Sequence, residues 1–100
     1  MKKSVNGKSF DEIFEERGKE VKNMVKGIAY LILCDDSDLW LFTFNGILNR
    51  KYSYLGCLTP LCHDGTCYTY TEDMGFEPSD FIKAFTATQN QIALLNAYKS

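Results

Sequence analysis

Apolar positions along this chain change rhythm several times, and each change marks an element boundary. Phe10, Ile13, Phe14, Val21, Met24 and Val25 fall at helical spacing, with Gly18 near the same stripe. Ahead of them, Ser9-Phe10-Asp11-Glu12 has the form of a capping box. The Ser9 hydroxyl can accept from the Glu12 backbone N–H, and the Glu12 carboxylate from that of Ser9. Glu15 and Lys19 stand four apart in the favourable order, and Gly27 follows where a left-handed C-cap would stop the helix. The spacing predicts a helix over 10–26, preceded by a flexible N-terminus over 1–8.

From Ile28 the rhythm shortens. Residues 28–34 are a short, apolar, partly β-branched run that stops at Asp35-Asp36-Ser37-Asp38, and 39–44 form a second such run. Asn45-Gly46 then supplies a strong hairpin signal, because both central residues of a type I′ turn need positive φ. A two-residue turn there would pair Phe44 with Ile47, Phe42 with Asn49 and Trp40 with Lys51, with a third strand over 47–54. Residues 67–72 alternate and predict a fourth strand, after a loop over 56–66 that carries Pro60 and Asp64-Gly65.

Helical spacing returns at Phe81, Ile82, Phe85, Ile92, Leu95 and Tyr98, behind Pro78 and the acids of a first turn. The segment 78–98 therefore reads as helical. A second capping box at Thr88–Gln91 offers a break near Thr86–Thr88. The expected fold is a single α+β domain with an N-terminal helix, an antiparallel meander of three to four strands and a C-terminal helix. The first two strands are apolar on both faces, so each side of the sheet centre needs cover. Two helices on opposite faces would supply it. Two helices on one face would leave the other to a partner or to a second copy in a homodimer.

Composition narrows the function classes. The chain has 100 residues, 45% hydrophobic and 24% charged, which is ordinary for one globular domain. Aromatic residues reach 14%, suited either to a small core or to a binding face. The net charge of −2 is uneven, with a basic excess before Gly27 and an acidic excess after it. Only Arg50 and Lys51 adjoin in the sheet region, which disfavours direct nucleic-acid binding. The basic start lacks the apolar stretch of a signal peptide, and the run from Ile28 to Cys34 is too short to span a bilayer. A soluble, cytoplasmic chain with reduced thiols is expected, with no membrane association.

Three constellations merit a chemical test. Cys57, Cys62, His63 and Cys67 place three thiols and the only histidine within eleven residues. A tetrahedral zinc site takes such ligands, but in paired knuckles. Adjacent residues such as Cys62 and His63 seldom aim at one metal, so the spacing favours no cofactor, with these four as the ligands of a zinc-stabilised adaptor in the alternative. The same loop would seat a thiol-dependent enzyme or redox protein. However, Cys-x-x-Cys is missing, and consecutive Cys62, His63 and Asp64 diverge in extended chain. The acids at 35, 36 and 38 lack the downstream ligands of a calcium loop and read as a solvated turn.

The third constellation is aromatic. Tyr52 and Tyr54 share one strand face by the period of two, as do Tyr68 and Tyr70. With Trp40 they would form a partner-binding patch, or else pack half-buried in the core. By subtraction, the expectation is a small, non-catalytic, intracellular protein-binding module. Small inhibitors and immunity proteins share this profile as a class, among them phage-encoded blockers of bacterial defence such as anti-CRISPR proteins.

Overall fold

The computed structural model describes residues 6–34, 39–59, 75–78 and 81–99. In chain order these form α1 (Phe10–Phe14), β1 (Glu20–Val21), β2 (Ala29–Cys34), β3 (Leu39–Leu48), β4 (Lys51–Leu58), β5 (Gly75–Phe76), β6 (Phe81–Thr86) and α2 (Gln89–Lys99). The strands make one antiparallel sheet in the order β1-β6-β2-β3-β4-β5, so the chain is a mixed α+β fold. The expected fourth strand over 67–72 lies outside the described residues.

The predicted helix over 10–26 is only five residues long. Its capping box forms as expected, with Ser9 Oγ accepting from the Glu12 N–H at 3.2 Å and the Glu12 carboxylate from the Ser9 N–H at 3.0 Å. The helix stops because the chain is captured by the rest of the fold. Gln91 Nε2 donates to the carbonyls of Ile13 and Glu16 at 3.0 and 2.9 Å, and Arg17 Nη1 donates to Phe14 O at 2.7 Å. Gly18 then passes so close to β6 that a Cβ would lie 2.0 Å from the Thr86 carbonyl oxygen. Its neighbour Lys19 exchanges hydrogen bonds with Thr86, accepting from the Thr86 N–H at 2.8 Å and donating to Thr86 Oγ1 at 3.0 Å. A helix cannot run through that contact, and Val21 continues instead as strand opposite Ala84.

The helix predicted over 78–98 is likewise corrected in its first half. Residues 81–86 are strand, pairing Leu31 with Phe85 and Ile32 with Ala84. Phe81, Ile82, Phe85 and Thr86 are good strand formers, and β2 needs a partner on that edge. The break expected near Thr86–Thr88 is present, and so is its capping box. Thr88 N donates to Gln91 Oε1 at 2.9 Å, and Gln91 N donates to Thr88 Oγ1 at 3.2 Å.

The hairpin turn is also displaced. Asn49 (φ 52°) and Arg50 (φ 67°) are both left-handed and join β3 to β4, with Leu48 opposite Lys51. Asn45-Gly46 is a bulge, in which three steps on β3 from Phe44 to Ile47 oppose two on β4 from Tyr54 to Tyr52. Apolar register decides between the two turns. Turning at 45–46 would face Phe42 to Asn49. Turning at 49–50 faces Phe44 to Tyr54, Ile47 to Tyr52 and Leu41 to Leu58.

Both helices cover one face of the sheet. Phe10, Ile13 and Phe14 of α1 and Leu94 and Leu95 of α2 cluster there with Leu31, Leu41 and Leu58. The opposite face carries a second buried cluster that includes Tyr30, Ile32, Phe42, Phe44, Tyr54 and Cys57. That face is the inside of a roll. Tyr52 of β4 and Phe81 of β6 touch with ring centroids 5.3 Å apart. Three strand spacings separate β4 from β6 in the sheet order, about 14 Å if it were flat. Curling at the Asn45-Gly46 bulge, and at a second bulge between Tyr54 and Cys57, brings them together.

Candidate functional site

One open end of this roll holds a cavity of about 110 Å³, lined by Met24, Phe44, Ile47, Tyr52 and Phe81 together with Lys22 and Asn23. Its floor is rigid. The Phe44 and Tyr52 rings meet edge-on at 5.7 Å and 83°, and Tyr52 in turn rests on Phe81. The wall formed by residues 22–28 is a tight reversal fixed at several points. The Val25 N–H donates to the buried Tyr30 hydroxyl at 2.8 Å, Gly27 N (φ 91°) donates to Phe44 O at 2.8 Å, and Ile28 N donates to Val25 O at 3.2 Å.

This frame holds apolar side chains out in water. Val25 is 62% exposed and Ile47 63%. On the far side of the same reversal, exposed Ile28 and Ile92 border a shallow depression of about 340 Å³ with Ala29 and Ala87. Single exposed aliphatics are unremarkable in any protein. Here Ile47 lines the cavity with Val25 exposed one residue beyond its Met24 wall, and Ile28 and Ile92 line the depression, so exposed aliphatics accompany both concavities. The charges nearby are basic: Lys22, Lys26 and the hairpin-tip Arg50 are exposed, and none has an ion-pair partner among the described residues. Lys51, beyond them, pairs with Glu77 at 4.0 Å.

The other concentration of polar groups lies where α1 ends and α2 begins. The Glu16 carboxylate accepts from Thr88 Oγ1 at 2.5 Å, Asn90 Nδ2 at 2.9 Å and Lys8 Nζ at 3.0 Å. These bonds hold its pKa down at about 2, Thr88 contributing most, then Asn90 and Lys8. A carboxylate so fully engaged is a poor base at neutral pH, so this cluster ties two elements together rather than moving protons.

The residues singled out by sequence are placed as follows. Tyr54 is 5% exposed and stacks on Phe42 at 5.4 Å, which makes it core. Tyr52 and Trp40 are half-buried against the inner cluster, and Tyr52 reaches the cavity wall. Cys57 is fully buried beside them, and Cys34 is 7% exposed in the same cluster. Cys62, His63, Cys67, Tyr68 and Tyr70 lie outside the described residues, as do the acids at 35, 36 and 38. No grouping of three metal-binding side chains occurs among the described residues. Among those residues, too, no helix is long and apolar enough to cross a membrane.

Sequence reasoning missed Val25, Ile28 and Ile47 as surface groups, having assigned the first to a buried helical stripe and the other two to strand pairing. The available signal was the Val25-Lys26-Gly27-Ile28 stretch, where two β-branched residues flank a lysine and a turn glycine. Neither a protein-family model nor a curated protein nor a solved structure matches the chain.

Proposed function

We propose that this chain is a small, non-catalytic protein-binding domain that docks through the open end of its rolled sheet. The observation that carries the reading is a pair of exposed aliphatics, Val25 and Ile47, at a cavity lined by Ile47 on a hydrogen-bonded reversal. A domain this small gains from every apolar group it can bury. Aliphatics left in water on a hydrogen-bonded frame cost little to desolvate on binding and lose little entropy. An inhibitor or immunity-type role, in which the domain occludes its partner's surface, needs no chemistry beyond such docking.

The test is quantitative affinity capture from cells that encode the chain, comparing wild type with the double variant Val25→Asp/Ile47→Asp. Both changes are at exposed positions, so the melting temperature should hold. A partner recovered by wild type and lost by the folded variant supports the reading. Equal recovery by both would contradict it.

A further inference from the structure

We infer that the cavity at the mouth of the roll takes a single branched aliphatic side chain from an acidic segment of a partner protein. The inference rests on the protein-binding reading and names the chemistry of the partner. Size comes first. Small-molecule and cofactor sites run to roughly 300–1,000 Å³, and even benzene occupies an engineered cavity of about 150 Å³. The roughly 110 Å³ here suits one leucine- or isoleucine-sized group. Five of its seven lining residues, Met24, Phe44, Ile47, Tyr52 and Phe81, offer aliphatic, thioether and aromatic carbon to an apolar insert, while Lys22 and Asn23 supply polar groups for what flanks it.

Charge selects what flanks that insert. Lys22 stands on the cavity edge. The stem of Lys26 runs beside Gly46, where a Cβ would lie 3.9 Å from Lys26 Cδ, so its ammonium also belongs to this end. Arg50 is three residues beyond Ile47 at the hairpin tip. The acidic residue nearest in sequence, Glu20, is paired opposite Phe85 and so alternates away from the inner face on which Val21 and Ala84 lie. Cations without an ion-pair partner among the described residues, around an apolar socket, complement carboxylates around an apolar anchor. Nucleic acid would satisfy the cations but leave the socket empty, and Tyr52 is engaged edge-on by Phe44 and at a tilt by Phe81.

The test uses the full chain and a fluorescein-labelled synthetic peptide with one central leucine between glutamates. Fluorescence anisotropy should show saturable binding, with an affinity that falls as salt rises. Replacing the peptide leucine by alanine should weaken it about tenfold or more, as should Lys22→Glu/Lys26→Glu in the protein. Oligo-dT and vesicles containing phosphatidylserine serve as competing probes. The inference is overturned if lysines replace the glutamates without loss, if either competing probe binds through the same lysines in preference to the peptide, or if no peptide binding saturates by about 1 mM. Where cellular capture still depends on Ile47 but the acidic peptide does not bind, the inference fails and the protein-binding reading stands. Where Ile47-dependent capture is absent as well, both fall.

Discussion

The two ends of this molecule use their side chains in opposite ways. Where α1 meets α2, almost every polar group is committed inside the chain. Gln91 closes two carbonyls of the α1 terminus, Glu16 accepts from three donors, and the apolar residues below them are buried. At the mouth of the roll, the backbone is equally well fixed, yet Val25 and Ile47 face water and the lysines around them have no acidic partner among the described residues. Rigidity is therefore common to both ends. The difference lies in whether the side chains are satisfied internally, and an unsatisfied surface on a satisfied frame is what a docking site requires.

Substitutions should separate the two ends cleanly. Leu94→Ala empties a fully buried position under the helices and should cost about 2–5 kcal/mol in denaturant unfolding. Gly18→Ala forces a methyl group into the Thr86 carbonyl, so β6 or the crossing chain must shift. About 1–3 kcal/mol is expected, with protection of the β1–β6 amides reduced in hydrogen exchange. Gln91→Ala removes one of the two donors to each of the Ile13 and Glu16 carbonyls, which keep the Glu16 N–H and Arg17 Nη1 respectively. It also takes the acceptor from the Thr88 N–H, so it should cost about 1–3 kcal/mol. Leu94 is buried and lines neither the cavity nor the depression, so Leu94→Ala molecules that remain folded should bind a partner as wild type does.

A smaller effect comes from Glu16. Its pKa is about 2 in the fold against an ordinary 4.5, so the unfolded chain takes up the proton first as pH falls. The stabilisation is complete above about pH 4.5 and is lost progressively toward pH 2. Glu16→Gln should flatten that part of the stability–pH curve, and an unchanged slope would show that the three hydrogen bonds are not maintained in solution. Smallest of all, Val25→Asp and Ile47→Asp should each move stability by less than about 0.5 kcal/mol. A loss as large as that of Leu94→Ala would place them in a core and erase the contrast.

Much of this fold was legible in local chemistry, and its failures share a cause. Both capping boxes, at Ser9–Glu12 and Thr88–Gln91, form because each needs only residues three apart. The first two strands were legible because nothing else suits a run of aliphatic and aromatic residues between turn signals. The helix over 10–26 failed at Gly18, where a contact with Thr86, 68 residues away, outweighs spacing that also suited a helix. Residues 81–86 failed because the helical stripe was weighed without the open edge of β2. The Asn45-Gly46 turn lost to a register that pairs apolar residues across the strands. Burial turned on the same long-range geometry: Tyr54 is drawn inside by a curl that depends on two bulges, and Val25, on a stripe that helical spacing would bury, is exposed in the reversal after β1.

The contrast between the two ends is tested most directly by a photo-crosslinking residue placed at Ile47 in one variant and at Asp11, on the exposed side of α1, in another. Both positions are exposed, so both variants should fold with the wild-type melting temperature. Irradiation in cells that encode the chain should give a discrete adduct to one partner protein from position 47 and none from position 11, and the adduct should vanish when Val25→Asp is added. Adducts of equal yield from both positions, or an adduct from position 11 alone, would contradict the assignment of the mouth of the roll as the docking surface.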